Sequence, residues 1–180
     1  GLMWIVANLG IFGYMVFAGV QQLIVITGLH HVLNAVEAQL IADTGFTFLN
    51  PLMSVALLAQ GGAVLGFLYL RWSDKKARQI GTSAFGSILF GISEPALFGV
   101  NLRHKFPLVC GCIGGAIGGA YIYLFNIKSV AFGATALPGL ALVSTEGGGH
   151  LHYIIACLLS IASAMILTIV YAKVKKPSYE

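Results

Sequence analysis

Glu94 stands in the run Gly91, Ile92, Ser93, Glu94, Pro95, with apolar sequence on both sides. A carboxylate at membrane depth is costly and is usually kept for a function. Pro95 disfavours helical angles at Glu94 and suits the first position of a helix, which predicts Glu94 at the mouth of a half-helix. There the carboxylate and the unsatisfied N–H groups of the following turn offer acceptors and donors to one polar ligand. The structural alternative is a carboxylate that caps its own helix or pairs with a buried cation.

A second group runs Gly28, Leu29, His30, His31, Val32, Leu33, Asn34, with Glu37 following. On a helix His30, Asn34 and Glu37 share a face, and His31 lies beside Asn34 at three-residue spacing. Such a face can hydrogen-bond hydroxyls. It also suits a polar stripe lining a helix contact, and less readily a metal site, because no third ligand comes at a fixed spacing. His150 and His152, where a connection enters an apolar run, are read as interfacial. Cys110, Cys112 and Cys157 are odd in number and lie in apolar stretches. They are expected to pack rather than to form a disulfide framework.

The elements that must hold these groups follow from composition. Of the 180 residues 58% are hydrophobic and 9% charged, and the mean hydropathy is +0.89. A soluble domain carries roughly a quarter charged residues. So few charges cannot cover a water-facing surface, whereas lipid asks for none. The net charge of +4 sits in short clusters between apolar runs, as topology signals do, and not on a basic face that would point to nucleic acid.

Spanning about 30 Å of hydrocarbon takes about 20 apolar residues. Four stretches qualify: one within Leu2 to Gly28, then Leu52 to Leu70, Phe106 to Phe125, and Leu151 to Ala172. In the third, Gly111, Gly115 and Gly119 recur on one face, widened by Gly114 and Gly118, and are expected to bring helices close together. Between the second and third stretches, Arg71, Lys75, Lys76 and Arg78 precede an apolar segment from Gly81 to Leu102, and Arg103 and Lys105 follow it. A single crossing would put one basic cluster outside, against the positive-inside tendency. The break at Gly91 to Pro95 leaves two arms of about ten residues, each about 15 Å long as helix. The expectation is a re-entrant hairpin over residues 81–102 with Glu94 at its tip.

That reading sends span one outward, span two inward, span three outward and span four inward. Lys173, Lys175 and Lys176 then lie in the cytoplasm, and Glu37, Asp43 and Glu146 in outer connections. The stretch Asn126 to Gly149 holds Pro138, Gly139 and the run Gly147 to Gly149. Too irregular to face lipid, it should be buried against protein or dip in from the outer side. Gly1 opens the chain in mid-apolar sequence, without a Met start or a basic segment ahead of an apolar core. No signal peptide is expected, and the natural N-terminus is expected to lie further upstream.

At these residues the sequence resembles a known family. Gly91 to Pro95 resembles the G-I-T-E-P signature of the membrane (IIC) subunits of bacterial phosphotransferase systems, and Gly28 to His31 resembles their G-x-H-H motif. Phe98 to Arg103 looks like the continuation after the signature, and Ala136 to Ala141 like a later Leu-Pro-Gly segment. Together these cover most of the chain and point to the glucose superfamily, in its sucrose, trehalose and β-glucoside branch. Phe132 to Val143 looks more sucrose-like than trehalose-like. Ser93, where Thr is usual, keeps the hydroxyl.

The resemblance implies an all-α integral membrane protein in the bacterial cytoplasmic membrane. It would form the C-terminal half, residues 1–180, of a permease of about ten segments that acts as a homodimer. A transport domain would move sugar against a dimerising domain, and a IIB domain would phosphorylate the sugar from a phosphocysteine. Carried over residue by residue, Glu94 and one or both of His30 and His31 would be sugar ligands, with Asn34 on the same helix face. No cofactor or metal is implied. The chain has no cysteine in a soluble, basic context like that of IIB, so the phosphoryl carrier is expected elsewhere. Other classes compatible with the residues are a membrane-embedded hydrolase using Glu94 and a histidine as acid and base, without a nucleophile motif, and a non-transporting sensor or scaffold.

Overall fold

In the computed structural model, residues 8–175 are described. The helices are α1 (Ile11–Ile26), α2 (His30–Thr44), α3 (Leu49–Leu70), α4 (Lys75–Leu89), α5 (Glu94–Ala96), α6 (Leu102–His104), α7 (Phe106–Leu124) and α8 (Gly149–Lys175). A π-helical stretch, Leu97–Asn101, joins α5 to α6, so that residues 94–104 form one nearly continuous arm. Among the described residues there is no strand, only isolated bridges pairing Ser129 with Thr47 and with Val143. The all-helical expectation holds.

Among the described residues three helices are long and apolar enough to cross a membrane: α3, α7, and α8 with the turn leading into it from Glu146. The first expected span is represented by α1, 16 residues long. Its upstream part falls on residues outside the described ones. α3 begins three residues before the expected start, because Pro51 falls in its first turn, where a missing N–H breaks no intrahelical bond.

α3 is apolar on all sides and forms the centre, with 89% of its most apolar window buried, against 33% for α8. α1, α7 and α8 surround it. The glycine face of α7 makes this possible. A Cβ on Gly115 would lie 2.8 Å from the carbonyl oxygen of Ala18, and one on Gly119 would lie 2.6 Å from that of Tyr14, both on α1. A Cβ on Gly114 would lie 2.7 Å from Ala164 Cβ of α8. Two neighbours therefore approach α7 on adjacent glycine rows, a geometry in which small residues let dispersion forces act over short distances.

The polar start of α4 was missed by looking only for apolar sequence. Asp74 caps it, accepting from the N–H groups of Lys76 at 2.9 Å and Ala77 at 3.2 Å. The helix thus begins six residues before Gly81. It ends at Leu89, and the chain reverses through Gly91, whose φ of +90° suits glycine. Residues 94–104 then return along α4, with Gly99 against Ile80 and the His104 ring stacked on Phe67 at 4.5 Å.

Buried amides fix this arm in place. Asn101 donates to the Gln60 carbonyl oxygen at 3.1 Å and to Gln60 Oε1 at 2.7 Å. Gln60 in turn donates to the Leu108 carbonyl oxygen at 3.3 Å. The π-helical stretch, α3 and α7 are thereby tied together, and the side-chain N–H groups of Asn101 and Gln60, which lipid would leave unsatisfied, find acceptors inside the protein.

The connection 126–148 packs against protein, as its irregular sequence demands. Ser129 exchanges backbone hydrogen bonds with Thr47 at 2.8 Å, and Leu137 donates to the Leu89 carbonyl oxygen at 3.1 Å. Ala136 donates to Ser54 Oγ at 3.1 Å and accepts from the Tyr153 hydroxyl at 2.8 Å. These bonds hold the loop against both the hairpin tip and the central helix.

Candidate functional site

Glu94 is the first residue of α5 and Pro95 the second, one place further into the helix than expected. The backbone of Ser93 still receives the first bond of the turn, from Leu97 N–H at 2.8 Å. The carboxylate makes no hydrogen bond or ion pair among the described residues and is exposed. It therefore does not cap its own helix by a side-chain bond.

α2 opens at His30, directly after the turn at Gly28. The rings of His30 and His31 lie 4.1 Å apart. His30, His31, Asn34 and Glu94 line one cavity of about 250 Å³. Four residues from two segments sixty positions apart in the chain thus meet in space.

Glu37 does not join them. It was expected in an outer connection and on a face with His30 and Asn34. α2 is the connection between the first two spans, and within it Glu37 is 1% exposed, with Oε1 unpartnered. Burial pushes its pKa up to about 7, partly offset by the Asn50 N–H. Seven residues of helix carry Glu37 about 10 Å along the axis from His30, so it shares their face but lies beyond the opening.

The remaining walls were not singled out from the sequence. Gln21 and Gln22 of α1 form one side, with Gln22 donating to Gln21 Oε1 at 2.7 Å. Gln22 is 1% exposed, and its Oε1 is a buried acceptor without a partner; His30 Nδ1 is likewise buried and unpartnered. Gly133, Ala134 and Thr135 form another side, positioned by Asn50, which donates to the carbonyl oxygens of Gly133 at 3.3 Å and Ala134 at 3.4 Å. Phe90, at the hairpin tip, presents an exposed aromatic face among these polar groups.

The cavity therefore offers one carboxylate, paired imidazoles, three amides and backbone carbonyls around an apolar patch. It suits a neutral molecule with many hydroxyls, each able to donate and accept. The family model described as "Phosphotransferase system, EIIC" matches residues 1–115. The chain belongs to the EIIC family.

This EIIC chain is 40% identical over 162 residues to a sucrose-specific EIIBC component of Staphylococcus xylosus, covering 88% of the chain and 34% of the relative. It is 40% identical over 176 residues to the sucrose-specific EIIBC component of Pasteurella multocida, covering 96% and 36%. Against the trehalose-specific EIIBC component of Bacillus subtilis the identity is 31%, covering 97% and 37%. The chain thus spans about a third of the length of the curated relatives it matches. No solved structure matches it significantly. EIIC domains are membrane permeases, in keeping with the apolar helices found here.

The other histidines and the cysteines of this EIIC chain lie elsewhere. His152 stacks on Phe125 at 4.2 Å and its Nδ1 meets the Tyr121 hydroxyl at 3.1 Å, in the first turns of α8. Cys110 and Cys157 are buried, Cys112 is half-buried, and all three are free thiols. Among the described residues no group of three or more His, Cys, Asp or Glu is placed to hold a metal ion.

Proposed function

We propose that the chain is sugar-translocating machinery of a phosphotransferase permease and that the cavity holds a neutral disaccharide or glucoside. Sucrose is the first assignment, trehalose or a β-glucoside the next. The observation that carries this reading is the convergence of Glu94 with His30, His31 and Asn34 on one opening. Glu94 accepts from sugar hydroxyls, and the unpartnered Gln22 Oε1 and His30 Nδ1 are further hydrogen-bonding atoms that a polyol satisfies. At about 250 Å³ the space lies just below the ~300–1,000 Å³ of small-molecule pockets. One ring fits inside, with the second at the open side.

The names of the relatives support sucrose and also support a IIB domain as the phosphoryl donor, since those proteins are EIIBC components. The chain works as the C-terminal part of a dimeric EIIC domain in the bacterial inner membrane. The hairpin enters and leaves the membrane from the cytoplasmic side. Arg71, Lys76 and Arg103 gathered at its base support that orientation.

The test is equilibrium sugar binding to purified permease without a phosphoryl donor. A hydrogen bond to a charged acceptor contributes roughly 1.5–3 kcal/mol, about ten- to a hundredfold in affinity. Glu94→Gln keeps the shape but exchanges acceptors for donors, so sucrose binding is expected to weaken at least about tenfold. His31→Ala is expected to weaken it less. Undiminished binding by Glu94→Gln would make Glu94 structural or purely catalytic.

A further inference from the structure

At the opposite end of the hairpin from Glu94, a second cavity of about 120 Å³ opens between α4, the returning arm and the end of α3. Arg71, Lys76, Arg103 and His104 line it, together with the Phe67 ring. Asp74 is the only carboxylate among its lining residues, and it is engaged by Arg71 at 2.8 Å. Three fixed cations against one carboxylate leave the cavity electropositive.

The surroundings locate this cavity at the membrane surface. It lies where α3, a membrane-crossing helix by length and composition, ends. Tyr69 and Trp72, 63% and 56% exposed, stand beside it, with the Arg78 guanidinium 5.7 Å from the Trp72 ring centroid. Exposed Tyr and Trp at the end of an apolar helix sit at headgroup level. Basic clefts between helices at that level bind phosphate-bearing lipid heads.

We propose that this cavity binds a phosphate-bearing anion, supplied by the headgroup of an anionic phospholipid in the adjoining leaflet. Arg103 and Lys76 reach the phosphate from the two arms of the hairpin, and the lipid's chains lie along the apolar surface beyond. The bound head thereby bridges the first turn of α4 and the last turn of the returning arm. His104 registers the same field: burial, then Arg103 and Arg71, hold its pKa below the usual range. A bound anion counters that field and favours the protonated imidazole. The groups facing His104 in this cavity are Arg71, Asp74, Lys76 and Arg103.

The experiment is native mass spectrometry of the protein released from nanodiscs of phosphatidylglycerol and phosphatidylcholine in equal parts, with increasing inorganic phosphate in a parallel series. Phosphatidylglycerol is expected to be retained preferentially, in saturable amount. Arg103→Gln and Lys76→Gln are each expected to weaken retention about fivefold, as removal of one interfacial cation does. Lys173→Gln removes an exposed cation of α8 that does not line the cavity, and it should leave retention unchanged. Equal losses in all three variants would reduce the effect to diffuse surface charge and overturn the site. Displacement by inorganic phosphate at equal concentration would overturn the lipid assignment. Unchanged retention in both cavity variants, with loss of IIB-dependent sugar phosphorylation, would overturn lipid binding in favour of a protein docking surface. Circular dichroism of each variant, expected to match the parent, separates loss of the cavity from loss of fold.

Discussion

Glu37 carries a pH dependence whose sign follows from its burial. Its folded pKa, about 7, lies above the ordinary value of 4.5. Below pH 4.5 folded and unfolded chains are both protonated and the group is neutral in its effect. Between 4.5 and 7 the unfolded chain ionises while the fold retains the proton, so stability falls as pH rises, with the full loss reached above 7. The loss is of order 1–3 kcal/mol. Glu37→Gln is expected to melt higher than the parent at pH 8 in detergent and to differ little at pH 4.5. An unchanged pH dependence in the variant would assign it to another group.

At the same scale, the two halves of the candidate site differ in how visible they were. Glu94 declares itself because a charge and a proline interrupt apolar sequence, and the histidine pair because two imidazoles follow a glycine. Gln21 and Gln22 gave a weaker version of the same signal, two adjacent amides inside an apolar helix. Which side of α1 they face depends on where α7 packs, and that is not a property of α1's own sequence. Gly133 to Thr135 carry no side-chain signal at all. They contribute through backbone placed by Asn50, some eighty residues away in the chain.

Among the elements, α7 shows its packing most directly in its sequence. Four-residue glycine spacing defined the contact face, and α1 does press its carbonyl oxygens onto Gly115 and Gly119. Gly115→Leu would drive a branched side chain into Ala18 and Ala56. Overpacking of this kind costs about 1–3 kcal/mol or more. Membrane yield and melting temperature are expected to fall, while the sugar affinity of protein that does fold stays near the parent's. Normal yield with lost binding would show that this face belongs to a site. The boundaries of α4 were harder to see, since its first turn is polar and depends on a cap at Asp74 rather than on apolar periodicity. The π-helical stretch leaves no trace in composition. It ends at Asn101, whose amide bonds Gln60, a tertiary contact that local composition does not encode.

For the whole molecule, hydropathy recovered the apolar runs and the basic flanks predicted a chain that turns back. Phe67, Arg71 and His104 share one cavity, so both flanks of the hairpin come to one end of the fold. In a variant lacking native cysteines, single cysteines at Ser73 and His104 are expected to react with an impermeant maleimide from the same side of sealed vesicles. Reaction from opposite sides would exclude the re-entrant arrangement. The path of residues 126–148 stayed hidden for another reason. Its hydrogen bonds go to Thr47, Ser54 and Leu89, long-range partners that no local pattern encodes.

The cavity walls come from α1, α2, α3, the hairpin tip and the loop at Gly133 to Thr135, so no short stretch of chain can form the proposed sugar site by itself. Ligand occupancy is consequently a reporter of global closure. A sugar that binds only the closed chain stabilises it by about 2.7 kcal/mol at a hundred times its Kd. Melting temperature should therefore climb with the logarithm of sugar concentration. A chain cut within 126–132 should keep helical circular dichroism while losing that climb, because the wall at Gly133 to Thr135 is then no longer covalently continuous with α1, α2 and α3, which form the rest of the cavity.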